Sequence, residues 1–322
     1  MPPFSYLRFG SEGSVSDIVI CEFMDELAIT QGLSGFDYFY DPNLVDRPDE
    51  LKSRVKEARA LIVRNRTQVR GALLDGAAQL RAVGRLGVGL DNIDVAACEA
   101  RGIAVLPASG ANDLSVAEYV ICTAMLLLRA AYGASGSVAA GKWPRNALIG
   151  REMADKVMGL VGFGSIARLT AKLAAAMGMQ VVAYDPFAKD AVFTEAGVRR
   201  LPLKDLLTHA DVVSLHVPLT DETRDMIDAA SLAAMKPDAI LINAARGGVV
   251  DESAVAAALK AKKLGGAALD VFAQEPLGAD KGRIFADVPN LILTPHIAGV
   301  TVESNTRVSW VTVENIKRVL AA

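Results

Sequence analysis

The chain has 322 residues, 52% hydrophobic and 22% charged, with 34 Lys and Arg against 37 Asp and Glu. This composition is globular, excludes intrinsic disorder and allows about two domains. A net charge of −3 supplies no basic face, which argues against nucleic acid and leaves small anions as partners.

The three cysteines, Cys21, Cys98 and Cys122, form no C-x-x-C and have no histidine nearby. Neither a metal site nor a disulfide framework is expected, and a reducing, cytoplasmic setting fits. Residues 1–16 read as a loose Gly/Ser/Pro tail without the apolar core of a signal peptide. The apolar stretch Tyr119–Leu128 has about half the length needed to span a bilayer. It reads as a buried helix, so no membrane partner is expected.

In chain order, DIVICEF (17–23), ALIVR (60–64) and IAVLP (103–107) read as buried strands with helical spacing between them, and RAVGRLGVGLDNID (81–94) holds a strand-like piece. A Gly-rich turn follows at Gly87 and Gly89. The charges of ELKSRVKEAR (50–59) read as a solvated helix face. A helix is expected over Ser115–Arg129, then a loop through Gly141, Trp143 and Pro144. Six further apolar strands follow, at 157–162, 180–185, 211–216, 239–244, 266–271 and 291–296, separated by Ala-rich helices. Alternating strands and helices predict an α/β fold: two Rossmann- or flavodoxin-like parallel-sheet domains with a cleft between them.

Gly162-Phe163-Gly164-Ser165-Ile166-Ala167 follows a strand and opens a helix. It matches G-x-G-x-x-G/A, whose glycines allow a tight turn and close approach to a pyrophosphate at the helix N-terminus. Asp185 ends the next strand, where an acid meets the adenosine ribose. A carboxylate there repels a 2′-phosphate. The nearest base along the chain is Lys189, so NAD is expected rather than NADP.

Three later strands end in polar residues: Arg246 after AILINAA, Asp270 with Glu275 beyond it, and His296 after LILTP. Strand ends on one sheet gather at one edge. Arginine holds a carboxylate with two parallel hydrogen bonds. A histidine beside a carboxylate is suited to carry a proton. Cofactor, carboxylate clamp and acid/base together imply oxidoreduction of a 2-hydroxy acid. His216 reads as site-lining or structural and His209 as a helix-end residue. Trp143 and Trp310 read as packing.

The runs NAARGGVVDE (243–252), ALDVFAQEP (268–276) and LTPHIAG (293–299) strongly resemble the D-isomer-specific 2-hydroxyacid dehydrogenases. VGRLGVGLDNID (83–94), NDLSVAE (112–118) and GKWPR (141–145) match too. The resemblance covers roughly residues 57–320 and is nearest the phosphoglycerate dehydrogenase-like branch. It implies a substrate domain over 1–108, completed by a C-terminal helix at 300–322, and an NAD domain over 109–299. Arg246 would bind the substrate carboxylate, His296 would move the proton, and Glu275 would hold His296. Gly162, Gly164, Ser165 and Ile166 would cover the pyrophosphate and Asp185 the ribose. Val217, Ala244, Ala245, Arg246, Asp270, His296 and Gly299 would line the rest of the cofactor site. Val88 and Gly89 would offer backbone N–H groups to the substrate. A homodimer through the 110–150 region is expected.

Arg64 and Arg66 end one strand and Arg85 precedes the Gly87 turn. Arg64 and Arg85 match phosphate-contact positions of the phosphoglycerate branch, so a second anion, phosphate or sulfonate, is expected on the substrate. The competing reading pairs these arginines with acids such as Asp91 and Asp94. Two other functions stay open at this point. One is a non-catalytic NAD-sensing binding protein. The other is a dehydrogenase of another small donor, such as glycerate, glyoxylate, phosphite or formate. Glu275 speaks against formate, because the formate-oxidising branch carries glutamine there.

Overall fold

A computed structural model describes residues 16–321. The tail reading at 1–15 lies outside the described residues, while Ser16 is buried. The chain forms two compact units, one running to Asn112 and resuming at Val300, the other Asp113–Gly299. The leading segment of the first unit ends at Asn112. Ala108 and Ala111 belong to its buried core, and Arg307 Nε donates to the Ala111 carbonyl at 2.9 Å.

The first unit holds five strands: β1 (Ile18–Ile20), β2 (Tyr38–Tyr40), β3 (Ala60–Val63), β4 (Ala82–Arg85) and β5 (Ala104–Pro107). They run parallel in the order β2-β1-β3-β4-β5, the flavodoxin-like arrangement. A parallel sheet is covered on both faces, so its strands read as unbroken apolar runs. Val19, Leu61 and Val83 face one buried cluster, with Leu51, Val55, Leu73 and Leu74 of two short helices. Ile18, Ile20 and Ile62 face the other, where Val308, Val313 and Ile316 of the helix Val302–Leu320 complete the core. Register pairs Val63 with Arg85, so Arg64 and Arg85 leave the same sheet edge.

The second unit holds seven parallel strands: β6 (Val157–Val161), β7 (Gln180–Tyr184), β8 (Arg199–Arg200), β9 (Val212–Leu215), β10 (Ile240–Asn243), β11 (Gly266–Leu269) and β12 (Leu291–Leu293). Their order is β12-β11-β10-β9-β6-β7-β8. Counted within the unit, this is the dinucleotide-binding order, which reverses between β6 and β9. Ligands bind at that reversal, outside the strand carboxyl ends. The helices Asp113–Arg129 and Ser165–Ala176 cover one face. Leu206, Leu232, Val255 and Leu259 cover the other. The apolar stretch at 119–128 lies within the first of these helices, with Val120, Ala124, Leu127 and Leu128 buried. Among the described residues no single helix is long and apolar enough to cross a membrane.

Candidate active site

The glycine-rich turn sits at the sheet reversal. Gly162 has φ 90° and its N–H donates to the Tyr184 carbonyl at 2.7 Å. A Cβ there would stand 2.6 Å from the His216 carbonyl oxygen and 3.0 Å from Val217 Cγ1, so only glycine fits. Gly164 caps the helix Ser165–Ala176 without a side-chain hydrogen bond, and open space lies where its Cβ would be. Exposed Ser165 and half-buried Ile166 begin that helix, and Ala167 is fully buried beneath it. Unused N–H groups, open space and the positive helix end fit a bound pyrophosphate.

Asp185 closes β7. Its Oδ2 accepts from Phe163 N–H at 2.8 Å, and its Oδ1 from Phe187 and Ala188 N–H at 2.8 and 3.0 Å. The acid therefore ties the glycine turn to the turn after β7. Arg200 on neighbouring β8 donates to the Asp185 carbonyl at 2.8 Å and pairs with Asp190 at 2.6 Å. The reading along the chain missed this arginine, because it arrives from the next strand.

Around the ends of β10, β11 and β12 the remaining groups assemble. Asn243 Oδ1 accepts from Ala245 N–H at 3.1 Å, and its amide donates to the Arg246 carbonyl at 2.9 Å. This fixes the turn that carries Ala244, Ala245 and Arg246. A Cβ on Gly247 would overlap the Phe272 carbonyl, so the Arg246 turn lies directly on the loop that carries Glu275. His296 Nδ1 and Glu275 Oε2 are 2.7 Å apart, and Glu275 Oε1 accepts from Phe272 N–H at 3.0 Å. Nε2 of His296 is left as the ring's second nitrogen. Burial alone would raise the Glu275 pKa. The His296 hydrogen bond, the Phe272 N–H and the charges of His296 and Arg246 outweigh it and hold the carboxyl below its ordinary value.

His296 has φ 55°, a strained backbone for a residue with a side chain. The surrounding bonds impose it. His296 N–H donates to the Asp270 carbonyl at 2.8 Å. The buried Asp270 carboxylate accepts from Thr294 Oγ1 at 2.6 Å and from Ile297 and Ala298 N–H, each at 2.8 Å. Asp270 thus fastens the loop that presents His296. Tyr119, from the helix Asp113–Arg129, shares a 2.6 Å hydrogen bond with Thr294. Burial pushes its hydroxyl up to about 12, against the lowering effect of Thr294. Sequence reasoning missed Tyr119 and Thr294. His216, half-buried, lies 3.0 Å from Ser214 Oγ, and burial pushes its pKa down to about 4.

In the first unit, Arg64 Nη2 donates to Asn305 Oδ1 at 2.6 Å. Arg85 Nη1 donates to the Leu86 carbonyl at 2.5 Å. Val88 is exposed and Gly89 half-buried. Arg66 is taken by an ion pair with Asp46. Asp94 caps the helix Val95–Ala100 through Ala97 N–H at 3.0 Å, so it is not the partner of Arg64. His209 is an exposed helix end and Trp310 packs in the core, as read. Trp143 does not pack: it is 79% exposed.

A family model for the D-isomer specific 2-hydroxyacid dehydrogenase NAD binding domain matches residues 121–298. The chain is 54% identical over 308 residues to an (S)-sulfolactate dehydrogenase of Chromohalobacter salexigens, covering 95% of this chain and 99% of that one. It is 41% identical to a D-3-phosphoglycerate dehydrogenase of Synechocystis sp., covering 84% of this chain but 48% of the relative, about half its length. A D-lactate dehydrogenase structure from Aquifex aeolicus, complexed with NAD and lactic acid, superposes with a TM-score of 0.82 at 28% identity, covering 94% of this chain and 95% of that one. The match spans the glycine turn and all three polar strand ends. The chain therefore belongs to the D-isomer specific 2-hydroxyacid dehydrogenase family, as an NAD-dependent oxidoreductase of a small hydroxy or keto acid.

Proposed function

We propose that the substrate is a D-2-hydroxy acid with a second anionic group at its far end, of the sulfolactate or 3-phosphoglycerate type. The observation that carries this reading is Arg64, a half-buried arginine with no carboxylate within ion-pair distance of its guanidinium among the described residues. A partly desolvated charge without a counter-ion is readily matched by an anionic ligand. The two relatives named above act, by name, on substrates of this kind. In sulfolactate the sulfur-bearing arm outranks the carboxylate in naming, so the (S) isomer has the spatial arrangement of D-lactate.

NAD, when bound, accepts or supplies the hydride. Gly162, Gly164, Ser165 and Ile166 hold its pyrophosphate and Asp185 its ribose. Val217, Ala244, Ala245, Asp270 and Gly299 line the nicotinamide end. Arg246 grips the substrate carboxylate and draws charge toward the carbonyl oxygen. His296, held through Nδ1 by Glu275, gives its Nε2 proton to that oxygen on reduction and takes it back on oxidation. Backbone N–H groups at Val88 and Gly89 steady the substrate, and Arg64 and Arg85 meet the second anion. The first unit is the substrate domain and the second the NAD domain.

The test compares kcat/KM for sulfolactate and phosphoglycerate with that for lactate and glycerate. The dianions are expected to win. Arg64→Ala or Arg85→Ala lowers the dianion-to-monoanion ratio by roughly 10–100-fold, the worth of one charge-assisted contact. Wild-type preference for lactate or glycerate overturns the reading.

A homodimer in the cytoplasm belongs to the same proposal. Tyr132, Trp143 and Ile149 are 66%, 79% and 80% exposed along one segment, an apolar display suited to a second copy. Trp143→Ser with Ile149→Ser is expected to give monomers by light scattering. An unchanged mass removes that support.

A further inference from the structure

We infer that Asn305 sets the selectivity for a doubly charged substrate, by anchoring Arg64 through a neutral oxygen that leaves its charge for the ligand. This rests on the second-anion reading above and extends it to a residue that reading does not include.

The ion-paired arginines of the first unit show the contrast. Arg47 pairs with Asp41 at 2.6 Å and Glu50 at 2.7 Å, Arg54 with Glu50 at 3.2 Å, Arg59 with Asp17 at 3.2 Å, and Arg66 with Asp46. Each of these sits on a carboxylate. Arg64 meets only neutral groups: Asn305 Oδ1 at 2.6 Å, the Phe23 carbonyl at 3.5 Å and the Phe23 ring, 5.8 Å from its centroid. Burial pulls the Arg64 pKa below its ordinary value, against the opposing charge of Glu22.

Glu22 does not serve as a counter-ion at the guanidinium. It is buried, and its carboxylate is used by the backbone of the Arg64 turn. It accepts from the N–H groups of Arg64, Thr67 and Arg66 at 2.9, 3.0 and 3.1 Å. Asn92 holds the same turn from the carbonyl side, donating to Arg64 at 3.2 Å and Thr67 at 2.7 Å. The turn is thus rigid, and its arginine is aimed and not discharged.

Asn305 is equally fixed. It lies in the first turn of the helix Val302–Leu320, behind a reciprocal cap between Thr301 and Ser304, and its own N–H donates to the Thr301 carbonyl at 3.0 Å. An aspartate has the same shape and would form the stronger hydrogen bond. It would also neutralise Arg64 within the protein. A second anion would then meet a neutral pair and a nearby carboxylate instead of a free positive charge. The amide gives up that stability and keeps the charge for the substrate.

The experiment measures kcat/KM for sulfolactate and for lactate in the full-length protein carrying Asn305→Asp, Asn305→Ala or Arg64→Ala. Asn305→Asp is expected to lower the sulfolactate-to-lactate ratio by roughly 10–100-fold, chiefly through KM for sulfolactate. Asn305→Ala leaves Arg64 charged but less well held, so it lowers the ratio by less than either Asn305→Asp or Arg64→Ala. A purely structural asparagine predicts the reverse order, with alanine worse than the isosteric aspartate, and that result overturns the inference. If Asn305→Asp does not fold, the alanine arm decides: a drop as deep as that of Arg64→Ala overturns it. An unchanged ratio in Arg64→Ala sinks the second-anion reading itself. A changed ratio there with none in Asn305→Asp sinks this inference alone.

Discussion

Gly247 and Phe272 lie backbone against backbone, with no room between them for a side chain. One carries the turn of Arg246 and the other the loop of Glu275, so the proposed carboxylate clamp and the proposed acid/base pair share one frame. Gly247→Ala must push these loops apart. A displacement of about 1 Å near the chemistry costs roughly 100-fold in rate, so kcat/KM should fall by that order. NADH binding, followed by fluorescence, should change far less. Wild-type kcat/KM in Gly247→Ala would show that the loops relax independently.

Proton transfer through His296 predicts a kcat loss of roughly 10²–10⁴-fold in His296→Ala. His296→Asn is the cleaner variant, because asparagine tolerates the φ of 55° that this position imposes. Glu275 ionises below the ordinary carboxylate range, so its negative charge persists into weakly acidic solution and is lost only as pH falls through that lowered value. An amide in its place supplies no charge to an imidazolium. Glu275→Gln should therefore abolish the acid limb that protonation of Glu275 imposes on the pH–rate profile. An unchanged pH–rate profile would separate Glu275 from the proton.

Asp185 joins two turns through three backbone N–H groups. Asp185→Asn keeps one acceptor oxygen and loses the charge. The NADH-over-NADPH preference should shrink roughly tenfold, and stability should fall by about 1–3 kcal/mol for the unmet donors. Paired kcat/KM values and denaturant midpoints report the two effects separately. Equal kcat/KM for NADH and NADPH in the wild type would remove the specificity argument.

His216 supplies a pH dependence of stability. Its folded pKa near 4 lies below the ordinary 6.5. Between these values the unfolded chain binds a proton that the folded chain refuses, so stability falls as pH drops from about 6.5 toward 4. His216 is only half-buried, which limits the expected loss between pH 7 and pH 5 to about 1–2 kcal/mol. His216→Gln should flatten that slope. The same acid slope in the variant would place its origin elsewhere.

The glycine turn, Arg246, Glu275 and His296 were legible because each needs one residue type at the end of an apolar run. The Tyr119–Thr294–Asp270 chain was not. It joins hydroxyls 175 positions apart, and no local pattern marks such a pair. Strand β8 escaped because it is two exposed arginines on a sheet edge, where charge guards against further pairing and erases the apolar signal. Strand β2 is three residues long, and its aromatic run is bracketed by Asp37 and Asp41. The display of Trp143 was misread because a large aromatic residue favours burial on average, whatever its local neighbours.

The helix Val302–Leu320 belongs to the first unit although the whole second unit precedes it in the chain. Until it arrives, Ile18, Ile20, Ile62 and Ala82 have no cover from Val308, Val313, Ile316 and Leu320. On a ribosome the usual N-to-C order of domain maturation is therefore inverted. The second unit has all of its strands as soon as β12 emerges. The first must wait with one sheet face only partly covered, by Ala28 and Ile29 of the helix Glu26–Gly32, for about a hundred and ninety residues of further synthesis, at roughly 5–20 residues per second. That interval of some ten seconds or more is when this protein depends most on whatever shields nascent chains.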